Sequence, residues 1–227
     1  MKILVIDVGG TNIKVLATGQ KTPIKIPSGP ELTPTLMVRR VCKAVKDWEY
    51  DAVSIGYPGA VLEGKPVSEP KNLGSGWVRF NFKKAFGCPV KMINDAAMQA
   101  LGSYKHGRML FLGLGTGLGS ALIIDGVLEP MELAHLPYKK GRTYEEYVGK
   151  AGMKRSGKKK WRRHVLDVID RFRTALATDD VVLGGGNAKL LKKLPSGVRL
   201  GANQNAFAGG YRLWKTERVV RQLRPTR

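Results

Sequence analysis

At 227 residues the chain is long for one domain and short for two, which suits two small lobes with a cleft between them. Its hydrophobic content of 43% is that of an ordinary globular protein. No apolar run approaches the roughly 20 residues of a membrane helix, and the opening MKILVIDVGG lacks the features of a secretory leader, so a cytoplasmic, non-membrane protein is expected. Lys and Arg number 39 against 18 acids, a net charge of +21. A field of that sign gathers polyanions such as nucleic acid, anionic lipid or inorganic polyphosphate, although a solubility role gives the same sign.

In chain order, residues 2–8 and 12–17 are rich in Ile and Val and are parted by Gly9-Gly10, which predicts a β-hairpin, with 22–27 as a third strand. Residues 33–48 carry Leu36, Val41, Ala44, Val45 and Trp48 at helical spacing behind a Thr-Pro start. A buried strand over 51–55 ends at the turn GYPG, and 90–93 is another strand, followed by a helix over 95–104. Strands over 108–114 and 120–125 flank a glycine-rich turn. Helices are expected over 143–152 and 158–177, a strand over 180–183 that runs into Gly184-Gly185-Gly186, and a helix from about 203 to 214. Each half opens with a glycine hairpin, so two related α/β lobes are expected rather than one continuous sheet. The first spans residues 1–92, completed by a C-terminal helix over 211–227, and the second spans 93–210. Residues 218–227 are basic and expected to fray. Cys42 and Cys88 lie far apart in sequence and read as packing thiols rather than a disulfide.

Four segments carry chemistry. In IDVGGTNIK (6–14) a strand delivers Asp7, and Gly9-Gly10 turn tightly into Thr11 and Asn12. Glycines let the backbone approach a phosphate, and Asp7 beside them suits a hydrated Mg²⁺; an ordinary hairpin turn is the other reading. In LGLGTGLGS (112–120) glycines alternate around Thr116, a costly composition for a strand unless a ligand comes close. A strand follows it and no Lys-Ser or Lys-Thr closes it, so neither a dinucleotide fingerprint nor a P-loop fits. In VVLGGGNAKLLKKL (181–194) a strand ends in three glycines before a helical pattern, a setting for anionic or polar groups or a plain turn. In MINDAAMQALG (92–102) Asn94-Asp95 follow a strand. They serve as a helix cap, or Asp95 accepts a hydroxyl proton.

The order and spacing of these four segments resemble the actin/hexokinase/Hsp70 superfamily, whose fold is a two-lobed actin-like ATPase (ribonuclease H-like) α/β fold. Within it the chain resembles the ROK family (repressors, open reading frames and kinases) from about residue 2 to 214. The run GLGTGLGSALIIDGVLEPMELAHLPY is especially similar to that of polyphosphate glucokinases. The resemblance implies a glucokinase-type phosphotransferase acting on the 6-hydroxyl of glucose or a similar hexose. Its donor is polyphosphate, ATP or both, with Mg²⁺. An ATP-dependent kinase for fructose or an amino sugar, and a non-catalytic polyanion-binding or regulatory member of the fold, are the alternatives.

The resemblance implies roles residue by residue. Asp95 is the base and Asn94 a sugar contact. Asp7 positions Mg²⁺ through water, and Gly9, Gly10, Thr11, Asn12 and Lys14 line the terminal phosphates. Gly115, Thr116 and Gly117 meet the phosphates from the second lobe, and Gly185 and Gly186 border the adenosine site of ATP-using members. Pro58 and Gly59 in IGYPGAV, and Asn72 in EPKNLGSGW, border the sugar. Glu132 and His135 match the Glu-x-Gly-His that grips sugar hydroxyls, with Ala134 in place of glycine. Glu145 is a further sugar contact, with Glu146 as the competing match. The family's zinc-binding cysteine cluster is replaced here by Pro137-Tyr-Lys-Lys-Gly-Arg, so no zinc site is expected. The family's DNA-binding helix-turn-helix is not expected either, and a homodimer is suggested by analogy.

The donor reading adds a basic track. A helix over 158–177 puts Trp161, Val165, Ile169, Phe172 and Leu176 on one apolar face, with Lys159 and Arg163 away from it and Lys158 and Arg162 on the flank. Lys189, Lys192 and Lys193 are expected on one face of the helix after the glycine turn. A linear polyphosphate, with about one negative charge per residue, suits such a track better than adenine does. A solvated basic face is the bland reading.

Overall fold

The computed structural model describes residues 1–202 and 204–215. The expected start at Asn203, most of the expected helix over 211–227 and the basic end at 218–227 lie outside the described residues. The protein is mixed α/β and divides into two compact units. One comprises Met1–Met98 with the described residues from Ala206 onward; the other comprises Gln99–Asn205.

The first unit contains β1 (Ile3–Val8), β2 (Asn12–Ala17), β3 (Ile24–Pro27), α1 (Pro34–Ala44) and β4 (Ala52–Tyr57). A short ladder, β5 (Val61–Leu62) and β6 (Lys65–Pro66), then α2 (Phe82–Phe86), β7 (Val90–Asn94) and the start of α3 (Asp95–Ser103) follow. The sheet order is β3-β2-β1-β4-β7. The expected hairpin pairs β1 and β2 antiparallel, with Asp7 opposite Lys14, while β1, β4 and β7 run parallel. All six residues of β1 and of β4 are buried, as central parallel strands covered on both faces require. Thr33 caps α1, its Oγ1 accepting from the Leu36 N–H at 3.3 Å, and Pro34 occupies the first turn, where no N–H is needed. Met37, Val38 and Val41 bury the inner face of α1, each contributing about 1.5–3 kcal/mol of transfer free energy.

The second unit contains β8 (Arg108–Leu114), β9 (Leu118–Ile124), β10 (Val127–Pro130), a 3₁₀ turn (Leu133–His135), β11 (Pro137–Lys139) and β12 (Arg142–Thr143). Then come α4 (Tyr144–Val148), α5 (Lys150–Ala175), β13 (Asp180–Gly184) and β14 (Val198–Leu200). The order β10-β9-β8-β13-β14 repeats that of the first sheet, an antiparallel meander continued by two parallel strands. Trp161, Val165, Val168, Ile169 and Phe172 bury one face of α5, and Gly157 kinks that helix (φ 75, ψ 155). α6 (Asn205–Arg212) returns the chain to the first unit. There the buried Ser54 hydroxyl donates to the Gly210 carbonyl at 2.7 Å and accepts from Trp214 Nε1 at 2.8 Å.

One expectation is corrected. The helix after the glycine turn does not form: only Ala188–Leu190 makes a 3₁₀ turn, and Leu191 leaves it extended (φ −83, ψ 103). Pro195 biases the residue before it away from the α region, and Ala188 and Leu191 are both drawn into the core. Lys189, Lys192 and Lys193 therefore share no helix face, although all three are exposed. Among the described residues no helix is long and apolar enough to cross a membrane.

Candidate active site

In the first unit the predicted residues gather at the carboxyl ends of three adjacent parallel strands, where open α/β sheets bind ligands. Strand pairing sets Asp7 of β1 opposite Gly56 of β4, and Tyr57 of β4 opposite Asn94 of β7. Asp7, Pro58-Gly59 and Asn94-Asp95 thus leave neighbouring strand ends. Asp7 is 8% exposed. Burial pushes its carboxyl above the usual range, and Lys14 Nζ, 3.3 Å from Oδ2, pulls in the opposite direction. Gly9 N–H closes the hairpin onto the Asn12 carbonyl at 3.1 Å, leaving Gly10, Thr11 and Asn12 exposed at the tip. Asn72 lies beside that tip, its Cβ 3.5 Å from where a Cβ on Gly10 would fall.

Asn94 caps α3: its Oδ1 accepts from the N–H groups of Ala96 (2.9 Å) and Ala97 (3.1 Å), and its Nδ2 donates to the Gly59 carbonyl at 3.0 Å. The amide thereby ties the Pro58-Gly59 turn to the residue before Asp95. Asp95 opens α3.

In the second unit the carboxyl ends of β8 and β13 carry the two glycine turns. Gly115 N–H bonds the Gly117 carbonyl at 3.2 Å, leaving Thr116 exposed at the tip. Gly185 takes φ +80, and a Cβ on it would overlap the Leu114 carbonyl. Asn187 joins the two turns, its N–H donating to the Leu114 carbonyl and its Nδ2 to the Gly115 carbonyl, both at 3.0 Å. The structure therefore brings Gly115, Thr116, Gly117, Gly185 and Gly186 together.

Glu145 and Glu146 make different contacts. Glu146 completes a capping box with Thr143 at the start of α4, its carboxyl held down by the Thr143 N–H. Glu145 Oε2 instead accepts the Leu118 N–H at 3.2 Å, and a Cβ on Gly117 would overlap that oxygen. Glu132 and His135 are exposed at either end of the 3₁₀ turn. The buried Ser120 fixes that turn from β9: its Oγ donates to the Met131 carbonyl (3.1 Å) and accepts from the Leu133 N–H (3.2 Å).

The basic residues divide into exposed Lys158, Lys159, Arg163, Lys189, Lys192 and Lys193, and half-buried Arg162. Arg162 Nε donates to the Leu190 carbonyl at 2.8 Å, which ties α5 to the segment bearing the lysines. Sequence reasoning missed Ser120 and Asn187. It also missed Glu69, which accepts from the Trp77 (3.0 Å) and Val78 (3.3 Å) N–H groups and thereby shapes the loop bearing Asn72. Among the described residues no cluster of three or more His, Cys, Asp and Glu side chains could hold a metal ion. Asp7 alone suits a divalent ion that takes its other ligands from phosphate and water.

A model of the ROK family matches residues 3–129. Polyphosphate glucokinase of Mycobacterium tuberculosis is 28% identical over 210 residues, which cover 83% of this chain and 78% of that protein. Among solved structures, inorganic polyphosphate/ATP-glucomannokinase from Arthrobacter sp. strain KM superposes with a TM-score of 0.78 at 23% identity, over 92% of this chain and 96% of that one. A ROK family glucokinase from Streptomyces griseus, in complex with glucose and AMPPNP, gives 0.75 at 16% identity over 94% and 99%. These likenesses establish the fold as the two-lobed, actin-like α/β fold.

Proposed function

The chain belongs to the ROK family, and on that premise we propose that it is a hexose kinase of the glucokinase type, using polyphosphate, ATP or both. The observation that carries this reading is the position of Asp95, the residue next after the carboxyl end of β7 and beside the strand ends that present Asp7 and Pro58-Gly59. Asp95 accepts the proton of the sugar 6-hydroxyl as that oxygen bonds the terminal phosphorus. The bridging P–O bond breaks and its electron pair leaves with the shortened donor. Such a transition state is loose, so positioning and charge neutralisation supply most of the acceleration. Backbone N–H groups of the Gly10–Asn12 and Thr116–Gly117 turns bind phosphate oxygens, and Lys14 adds a positive charge. When bound, Mg²⁺ held through Asp7 neutralises phosphate charge. Asn72, Asn94, Glu132, His135 and Glu145 hold the sugar hydroxyls.

Polyphosphate as donor is supported by the similarity to polyphosphate glucokinase and by the exposed cations of α5 and of the Lys189–Lys193 segment, joined through Arg162. They carry the donor role without a shared helix face, because a flexible polyanion needs a charged path rather than a regular array. The test is phosphorylation of glucose, mannose, fructose and an amino sugar, each with polyphosphate and with ATP at low salt. Formation of a hexose 6-phosphate from polyphosphate is expected. Strong ATP-dependent activity with no transfer from polyphosphate removes the donor assignment, and no transfer from either donor to any hexose removes the kinase assignment.

A further inference from the structure

Between the 3₁₀ turn and α4 the chain runs through an outlying ladder, with β11 three residues long and β12 two. Pro137, Lys139, Lys140, Gly141 and Arg142 are all exposed. A two-stranded ladder of that length has no stability of its own. Yet it connects Glu132 and His135 at one end to Glu145 at the other, so something outside it must fix its course.

That anchor is Tyr138. Its ring stacks on Tyr144 (centroids 4.8 Å, 28° between planes) and meets Tyr147 edge-on at 4.9 Å. Its hydroxyl donates to Asp167 Oδ2 at 2.5 Å and lies 3.2 Å from His164 Nδ1. The same Asp167 oxygen accepts from Lys139 Nζ at 3.1 Å and Arg171 Nε at 2.9 Å, so one carboxylate oxygen of α5 gathers two donors from the ladder and one from its own helix. The loop is closed at its far end by the Tyr144 N–H, which donates to the Leu136 carbonyl at 3.1 Å. Tyr138 thus follows His135 by three residues and packs on the residue directly before Glu145.

We propose that Tyr138 and Asp167 are positioning residues for sugar binding, a clamp that holds the Glu132–His135 turn and Glu145 in one arrangement. The proposal rests on the reading of those three residues as sugar contacts. A site that reads hydroxyls with charged and polar side chains depends on where those side chains stand, so loosening their shared support weakens sugar recognition without touching donor chemistry.

Two variants test it in the full chain. Tyr138→Phe keeps the ring contacts and removes the hydroxyl; Asp167→Asn keeps the shape and removes the charge. Amide hydrogen exchange of residues 132–145, measured without ligand, reports the clamp directly. Hexose and donor KM, with kcat, report its consequence. Each variant is expected to exchange roughly tenfold faster over 132–145 only, and to raise hexose KM roughly tenfold with donor KM and kcat little changed, the scale of one lost charge-assisted hydrogen bond. Unchanged exchange over 132–145 overturns the clamp. Faster exchange there with an unchanged hexose KM overturns the positioning role, as does loosening of the whole unit with every kinetic constant impaired together. A wild-type chain that phosphorylates no hexose, with variants that still loosen 132–145, leaves the clamp standing and removes the functional reading on which its purpose rests.

Discussion

Replacing Gly117 by alanine isolates the contact between the second glycine turn and Glu145. A Cβ at that position overlaps Glu145 Oε2 and lies 2.9 Å from its Cδ. The carboxylate must swing away, which breaks its bond to the Leu118 N–H at 3.2 Å. A charge-assisted hydrogen bond contributes about 1.5–3 kcal/mol. This one is long and Glu145 is half-buried, which puts the loss near 1–1.5 kcal/mol. For a chain of this size the melting temperature falls by about 2–4 °C per kcal/mol, hence by about 2–6 °C. Glu145→Ala alone loses the same bond and has a similar cost. Once that carboxylate is gone, adding Gly117→Ala meets no obstacle and is neutral or slightly stabilising, through reduced freedom of the unfolded chain. Thermal unfolding of the wild type, both single variants and the double variant completes the cycle. Equal losses from Gly117→Ala with and without Glu145 would refute the contact.

Asp95→Asn is expected to fold, since Asn94 supplies the cap of α3, and to lose about 10²–10⁴-fold in kcat, the usual contribution of a general base; steady-state kinetics with the folded variant checks this. Replacing Lys189, Lys192 and Lys193 together by glutamine should weaken polyphosphate use more than ATP use, and the wild-type KM for polyphosphate should rise steeply with salt; a salt-independent KM contradicts a charge-driven track. Burial raises the Asp167 carboxyl, but hydrogen bonds from Tyr138, Lys139 and Arg171 outweigh it and hold the group down to about 2. Its stabilisation is therefore complete above the unfolded value near 4 and is lost as pH falls towards 2. The side chain is 37% exposed, so screening leaves about 1 kcal/mol. Denaturant titrations should show Asp167→Asn weaker than wild type by that amount at pH 7 and the gap closing between pH 4 and pH 2.

What was legible in the sequence was local. The Gly9-Gly10 pair between Ile- and Val-rich runs marks the end of β1, the alternating glycines from Gly113 to Gly119 mark the end of β8, and Asn94-Asp95 after a strand-like run marks the start of α3, because turn and cap chemistry act over a few residues. β10 is legible too, since Asp125-Gly126 between apolar runs is a hairpin signal, and the two strands it joins pair antiparallel. α2 and β14 are five and three residues long, too short for a periodic pattern. The supports of the site were not legible at all. Ser120 acts on a segment 11–13 residues away, Asn187 on Gly115 across 72 residues, and Tyr138 on Asp167 across 29. Nothing in a lone serine, asparagine or tyrosine announces a partner at that distance. The lysine segment failed for the converse reason: three- and four-residue spacing suggested a helix, and Pro195 with the burial of Leu191 overrode it.

The return of α6 to the first unit sets an order of events during synthesis. The second unit is continuous among the described residues and can close once Asn205 has left the ribosome. The first, although its strands are made earliest, is not finished then. The Ser54 hydroxyl, fully enclosed in β4, has both of its partners in residues 210 and 214. A buried hydroxyl without partners costs about 1–3 kcal/mol. Until residues 210–214 emerge, the nascent protein carries a second unit already able to close and a first unit whose enclosed Ser54 still lacks both partners, and that interval is when a chaperone would find it.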